Sequence, residues 1–115
     1  MGPSAPNLPL LVVTTVATRE QALVLARDLV ERRLAACAQI SAIDSVYRWQ
    51  DAVHQDGEFR VLFKTRADAY AAVEAAIRER HPYALPAIHA IATLQAHAAY
   101  AEWVAASTQP APGAD

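Results

Sequence analysis

Cys37, His81, Lys64 and a set of tyrosines and tryptophans are the side chains here with the chemistry to hold a ligand. Cys37 is the one cysteine, so it cannot close an internal disulfide. Its small neighbours Leu34-Ala35-Ala36 suit a packed interior. It reads either as an inert buried thiol or, given histidine or carboxylate partners, as a soft ligand for copper or another thiophilic ion. The four histidines, His54, His81, His89 and His97, include no pair at the i, i+4 spacing of a helical zinc site. A preformed structural metal site is therefore not expected. His54 and His97 fall in turn-like stretches facing solvent, and His89 falls on a strand surface. His81 ends a predicted helix, where the helix dipole favours positive charge. It is either a dipole partner or part of a pocket.

The run His81-Pro82-Tyr83-Ala84-Leu85-Pro86 places an aromatic ring and an imidazole between and beside two prolines. Fixed proline φ angles lower the entropy cost of presenting those rings in set directions. The run is a rigid connector or a pocket wall. Lys64, beside Phe63, is either a snorkelling side chain at a sheet end or an anion partner and the mate of a carboxylate such as Glu58. Asp56 and Glu58, two apart, share a strand face. No Ser-His-Asp set and no Gly-rich phosphate loop can be named, so nothing assembles a nucleophile, a base and an oxyanion donor. An enzyme is not the expected class.

These residues need elements to position them. Residues 8–16 form a short apolar, β-branched run, which predicts a strand buried on both faces. Thr18 with Gln21 has capping-box spacing, and Ala22, Leu25, Ala26, Leu29 and Val30 follow at helical spacing to about Arg33. Residues 34–40 enter a second strand, continued by the alternation of Ile43, Ser45, Tyr47 and Trp49. Phe59, Val61 and Phe63 alternate in a third strand, making a long antiparallel hairpin. Its tip lies at Asp51 or at the Asp56-Gly57 turn signal. Thr65 is the expected cap of a second helix that Pro82 stops. Residues 88–94 form a fourth strand, and Tyr100, Trp103 and Val104 mark a short closing helix.

The order β-α-β-β-α-β-α predicts an α+β fold of the ferredoxin-like, split βαβ kind, with an antiparallel sheet and both long helices on one face. The hairpin outgrows one helix layer, so Tyr47 and Trp49 are expected to project beyond the core. Exposed edges with large apolar residues invite pairing with another chain. With 115 residues, the chain fits one domain over 8–108, between a disordered arm at 1–7 and a flexible tail at 109–115. A net charge of −2 and the absence of Lys/Arg clusters argue against a nucleic-acid partner. No apolar run reaches the ~18–20 residues of a membrane span, and no secretory leader is visible, so the expectation is a cytoplasmic protein.

Arg33-Leu34-Ala35-Ala36-Cys37, Tyr47-Arg48-Trp49, Phe63-Lys64-Thr65, His81-Pro82-Tyr83 with Pro86, and Tyr100 with Trp103 stand in an order and spacing that resemble the CutA divalent-cation-tolerance family, from about residue 10 to 107. The resemblance implies a PII-like homotrimer built on long hairpin strands, a role in divalent-cation tolerance and metal homeostasis, and copper, Cu(II), or another divalent cation as ligand without an obligatory cofactor. It also implies an intersubunit cleft lined by Tyr47, Trp49, Lys64, Tyr83, Tyr100 and Trp103, with Cys37 and His81 as metal contacts. Glu58, the carboxylate weighed as mate of Lys64, is placed in the same cleft. The alternative is a PII-like regulatory trimer that binds a small anionic molecule there. Two positions depart from the family's pattern. Asp51 stands where the hairpin turn usually has glycine, and Ala87 stands where glutamate usually follows the second proline. If that carboxylate helps hold a cation, its loss implies metal binding that is weaker or that uses other groups.

Overall fold

A computed structural model describes residues 7–109, so the expected arm and tail lie outside the described residues except for Asn7 and Gln109. Gln109 is tied down: its backbone N–H donates to the Arg33 carbonyl and its side-chain amide to the Arg32 carbonyl.

The elements are β1 (Pro9–Val16), α1 (Arg19–Glu31), β2 (Cys37–Trp49), β3 (Ala52–Arg66), a 3₁₀ turn (Ala67–Ala69), α2 (Tyr70–Arg80), β4 (Ile88–Ala92) and α3 (Ala98–Ala106). One antiparallel sheet has the order β2-β3-β1-β4. β1 and β2 are each antiparallel to β3, so they run parallel with β3 between them. Val12 and Val16 of β1, Val61 and Phe63 of β3, Leu25 and Leu29 of α1, and Val73 and Ile77 of α2 share one core. Both long helices therefore cover the same sheet face. α3 packs on β1 and β3 from the other side, as the contact of Lys64 with Tyr100 requires, since Lys64 alternates with the core residue Phe63.

Local chemistry explains the start of α1. The Thr18 hydroxyl accepts from the Gln21 N–H, and the Gln21 amide oxygen accepts from the Thr18 N–H. The helix ends two residues before its expected limit. Arg33 takes a left-handed φ of 60°, the Leu34 N–H donates to the Leu29 carbonyl, and the Arg33 N–H donates to that of Val30. These are the two bonds of a Schellman stop, made here with arginine where glycine is usual. The Arg33 guanidinium in turn donates to the Ala106 carbonyl at 2.8 Å, which fastens the end of α3.

The hairpin register is unbroken from Cys37↔Lys64 to Trp49↔Ala52. The tip is therefore Gln50-Asp51, both with positive φ (50° and 61°), the backbone a two-residue turn of this hand demands. Asp56-Gly57 is no turn: both residues pair within β3, because a turn there would break the ladder on either side. His54, expected in a turn, is likewise a β3 residue. Thr65 is not a helix cap. It lies fully buried in β3 and donates its hydroxyl to the Leu34 carbonyl at 2.6 Å. α2 begins instead from the 3₁₀ turn without a side-chain cap, and Asp68 is held by Arg66. β2 begins at Cys37 and β4 ends at Ala92, each shorter than expected.

β1 pairs with β3 only as far as Val16↔Phe59. From Ile43↔Glu58 outward the hairpin has no third strand, an overhang of roughly 20 Å. The radius of gyration is 15.4 Å, against ~13 Å for a compact chain of about 100 residues. The overhang carries Val46, Tyr47, Trp49 and Val53, all substantially exposed.

Candidate functional site

A cavity of about 760 Å³ opens where the overhang leaves the body. Asp44, Ser45, Val46, Tyr47 and Trp49 of β2 with Glu58 of β3 form one wall; Tyr83, Ala84, Leu85 and Ala87 of the loop after α2 form the other. Thr15 lies at its base.

The loop wall is pinned by His81. Its Nε2 lies 2.9 Å from the Thr15 carbonyl, which can only accept, so this nitrogen carries the proton. It also lies 3.1 Å from the Thr14 hydroxyl. Its Nδ1 then accepts from the Tyr83 N–H at 3.1 Å. Both ring nitrogens are engaged and the imidazole is neutral. Burial pushes its pKa below the usual value, partly offset by the Thr15 carbonyl and the Glu58 charge. The Tyr83 hydroxyl donates to Glu58 at 2.8 Å, and its ring meets the His81 ring edge-on at 4.9 Å. Burial first, and then the Glu58 contact, push the Tyr83 phenol upward. Tyr47 has the same construction: its hydroxyl donates to Asp56 at 2.5 Å, which raises its pKa, and its ring stacks on His54 at 5.5 Å.

A second group lies at the opposite end of the sheet. Cys37, Lys64, Leu11 and Ile91 are successive cross-strand partners and so share one face, beneath α3. The Lys64 ammonium sits 5.4 Å from the Tyr100 ring centre, and Tyr100 stacks on Trp103 at 5.8 Å. Cys37 is half-buried and free.

The structure thus brings Tyr47, Trp49, Glu58, His81 and Tyr83 together, and separately Cys37, Lys64, Tyr100 and Trp103. It does not bring Cys37 to His81. They are set apart by roughly 10 Å along the strands and about as much across two strand spacings. Lys64 and Glu58 are not mates either: six positions along one strand puts roughly 20 Å between them, and Glu58 serves Tyr83 instead. Among the described residues no three His, Cys, Asp or Glu converge on a metal position. Asp44 and Thr15 were missed from sequence. The alternation of β2 puts Asp44 on the face opposite Tyr47 and Trp49, and it borders the cavity only because the overhang leaves both faces of the hairpin open.

The family profile described as "CutA1 divalent ion tolerance protein" matches residues 10–107. The divalent-cation tolerance protein CutA of Thermus thermophilus is 36% identical over 99 residues, which cover 85% of this chain and 96% of that one. The solved structure of CutA from Synechococcus elongatus is 35% identical with a TM-score of 0.86, covering 92% of this chain and 95% of that one. A structure from Archaeoglobus fulgidus, described as the periplasmic divalent cation tolerance protein CutA, is 27% identical with a TM-score of 0.86, covering 89% and 100%. No helix among the described residues is long and apolar enough to cross a membrane.

Proposed function

Because the chain belongs to the CutA1 divalent ion tolerance family, we propose that it acts as a ferredoxin-like homotrimer that binds divalent cations, copper among them, in clefts between subunits. The observation that carries this reading is the division of the ligand-bearing residues. Each chain holds two half-sites at opposite ends of one sheet, an open one around Tyr83 and Glu58 and one beneath α3 around Cys37 and Lys64. A long hairpin with exposed Val46, Tyr47, Trp49 and Val53 is suited to bring the first half-site of one copy against the second half-site of the next.

In such a cleft Cys37 offers the soft ligand for copper. His81 joins it only by giving up its Tyr83 contact, and Ala87 adds no carboxylate, so binding is expected to be modest. The cavity wall supports a cation over an anion: Asp44 and Glu58 line it, and neither Lys nor Arg does. Lys64, in no ion pair among the described residues, is what favours the second reading, a PII-like module that takes a small anion. The family is named for tolerance rather than for a reaction, which supports a binding role. The proposed place of action is the cytoplasm.

Sedimentation velocity at micromolar concentration tests the assembly, and calorimetric titration with Cu(II) tests the ligand. The expected outcome is a trimer whose copper affinity falls at least tenfold in Cys37→Ala. A monomeric parent sinks the first claim; equal copper affinity in Cys37→Ala sinks the second.

A further inference from the structure

The hairpin half of the cleft has a chemistry that a bare metal ion does not use well. Its volume of about 760 Å³ falls within the ~300–1,000 Å³ of small-molecule sites. Three large aromatic side chains line it, Tyr47, Trp49 and Tyr83, with Ala84, Leu85 and Ala87 as apolar fill; Glu58 shares the strand face of Tyr47, while Asp44 and Val46 reach the lining from the hairpin's other face.

The two tyrosine rings are fixed before any ligand arrives. Each is held at its hydroxyl by a carboxylate and along its ring by an imidazole: Tyr47 by Asp56 and His54, Tyr83 by Glu58 and His81. Fixed rings lose little entropy on binding. His54 stacks on one face of the Tyr47 ring, which leaves the other as an electron-rich face of the kind that attracts cations.

Three ligand classes can be weighed against this lining. A bare divalent ion needs several oxygens converging at ~2.0–2.6 Å, and the described residues offer no such group of three. Within one chain an anion would meet Glu58 with no Lys or Arg on the lining to offset it. An organic ammonium needs neither. Its charge is spread over alkyl groups that lie against aromatic faces, and a carboxylate can serve it while still accepting a tyrosine hydroxyl.

We propose that this cavity binds a small organic cation, an amine or quaternary ammonium on a compact apolar body, with Tyr47 and Tyr83 as its aromatic wall and Glu58 as its counter-charge. This deepens the cleft reading above by naming a ligand class for its hairpin half, while Cys37 remains the metal contact of the other half.

Calorimetry with choline as the probe tests it, beside choline's neutral isostere, in which carbon replaces the ammonium nitrogen, and beside citrate. Choline is expected to bind saturably, the isostere at least tenfold more weakly, and citrate less than either. Glu58→Gln keeps an acceptor for the Tyr83 hydroxyl and removes the charge; it is expected to weaken choline about tenfold, with an unchanged far-ultraviolet circular dichroism spectrum. Equal binding of the isostere, preference for citrate, undiminished binding by Glu58→Gln, or no saturable heat from choline up to about ten millimolar overturns the proposal. The parent's sedimentation mass separates the two readings. A monomer that still binds choline defeats the trimer and leaves this site standing, whereas a trimer that takes no choline defeats this site alone.

Discussion

Replacing Val46 and Val53 together by aspartate should leave each subunit folded and prevent the subunits from assembling. Both lie on the helix-side face of the hairpin but beyond the reach of the helices, with 66% and 65% of their surfaces exposed. Full burial of a valine contributes ~1.5–3 kcal/mol, so each has about two-thirds of that still to gain, ~1–2 kcal/mol. Two per subunit give ~2–4 kcal/mol, and three subunits ~6–12 kcal/mol for a trimer that covers these faces. The lower figure alone corresponds to about four orders of magnitude in the association constant. Aspartate forfeits the gain and adds the cost of desolvating a charge. Within one chain the change is small, because exposed positions usually shift stability by under ~0.5 kcal/mol, with a modest further loss from aspartate's poor strand propensity. Sedimentation velocity from about 1 to 100 µM is the assay. The parent should sediment near three times its 12.4 kDa chain mass and the double variant near that of one chain, both with the same far-ultraviolet spectrum. A double variant that sediments like a trimeric parent would show that this face is not what the copies bury, and the reasoning from the overhang would fail.

Other consequences are local. Thr65→Val keeps the shape of a fully buried side chain but strips the Leu34 carbonyl of its 2.6 Å donor. It should cost ~1–3 kcal/mol, read as a drop of several degrees in thermal midpoint, and an unchanged midpoint would refute it. Asp51→Gly removes a side chain from a φ of 61° and should raise stability by roughly 0.5–1 kcal/mol in urea unfolding; a loss would mean the aspartate side chain holds the turn. For pH, His81 has its folded pKa depressed, so below the unfolded value of ~6.5 the unfolded chain binds more protons than the folded one. Its contribution is intact above that pH and is lost as pH falls toward the folded pKa. Thermal midpoints of the metal-free parent should therefore decline below about pH 6.5 more steeply than those of His81→Asn, and parallel curves would rule out the imidazole as the cause.

What the amino-acid sequence determined by itself was whatever depends on neighbours in the chain. The Thr18-Gln21 box, the helical stripe of Leu25 and Leu29, the period-two strands and the stop at Pro82 are short-range, because hydrogen bonds and rotamers within one turn or one pleat set them. The kinds of side chain that could bind a ligand were legible for the same reason: thiol, imidazole and phenol are properties of single residues. The hairpin tip was not. Two segments had turn chemistry, and the choice of Gln50-Asp51 belongs to the whole ladder from Cys37↔Lys64 outward, since a one-residue slip would turn every side chain to the wrong face. Thr65 looked like a cap because caps are recognised by local spacing, yet its hydroxyl serves a carbonyl 31 residues away. Only the tertiary structure could sort Cys37 from His81, assign both nitrogens of His81 to Thr15 and Tyr83, and give Glu58 to Tyr83 rather than to Lys64. Those choices were made by the packing of β1, β3 and the loop after α2 against one another, and contact across a sheet depends on strand order and register, which no local pattern of residues encodes.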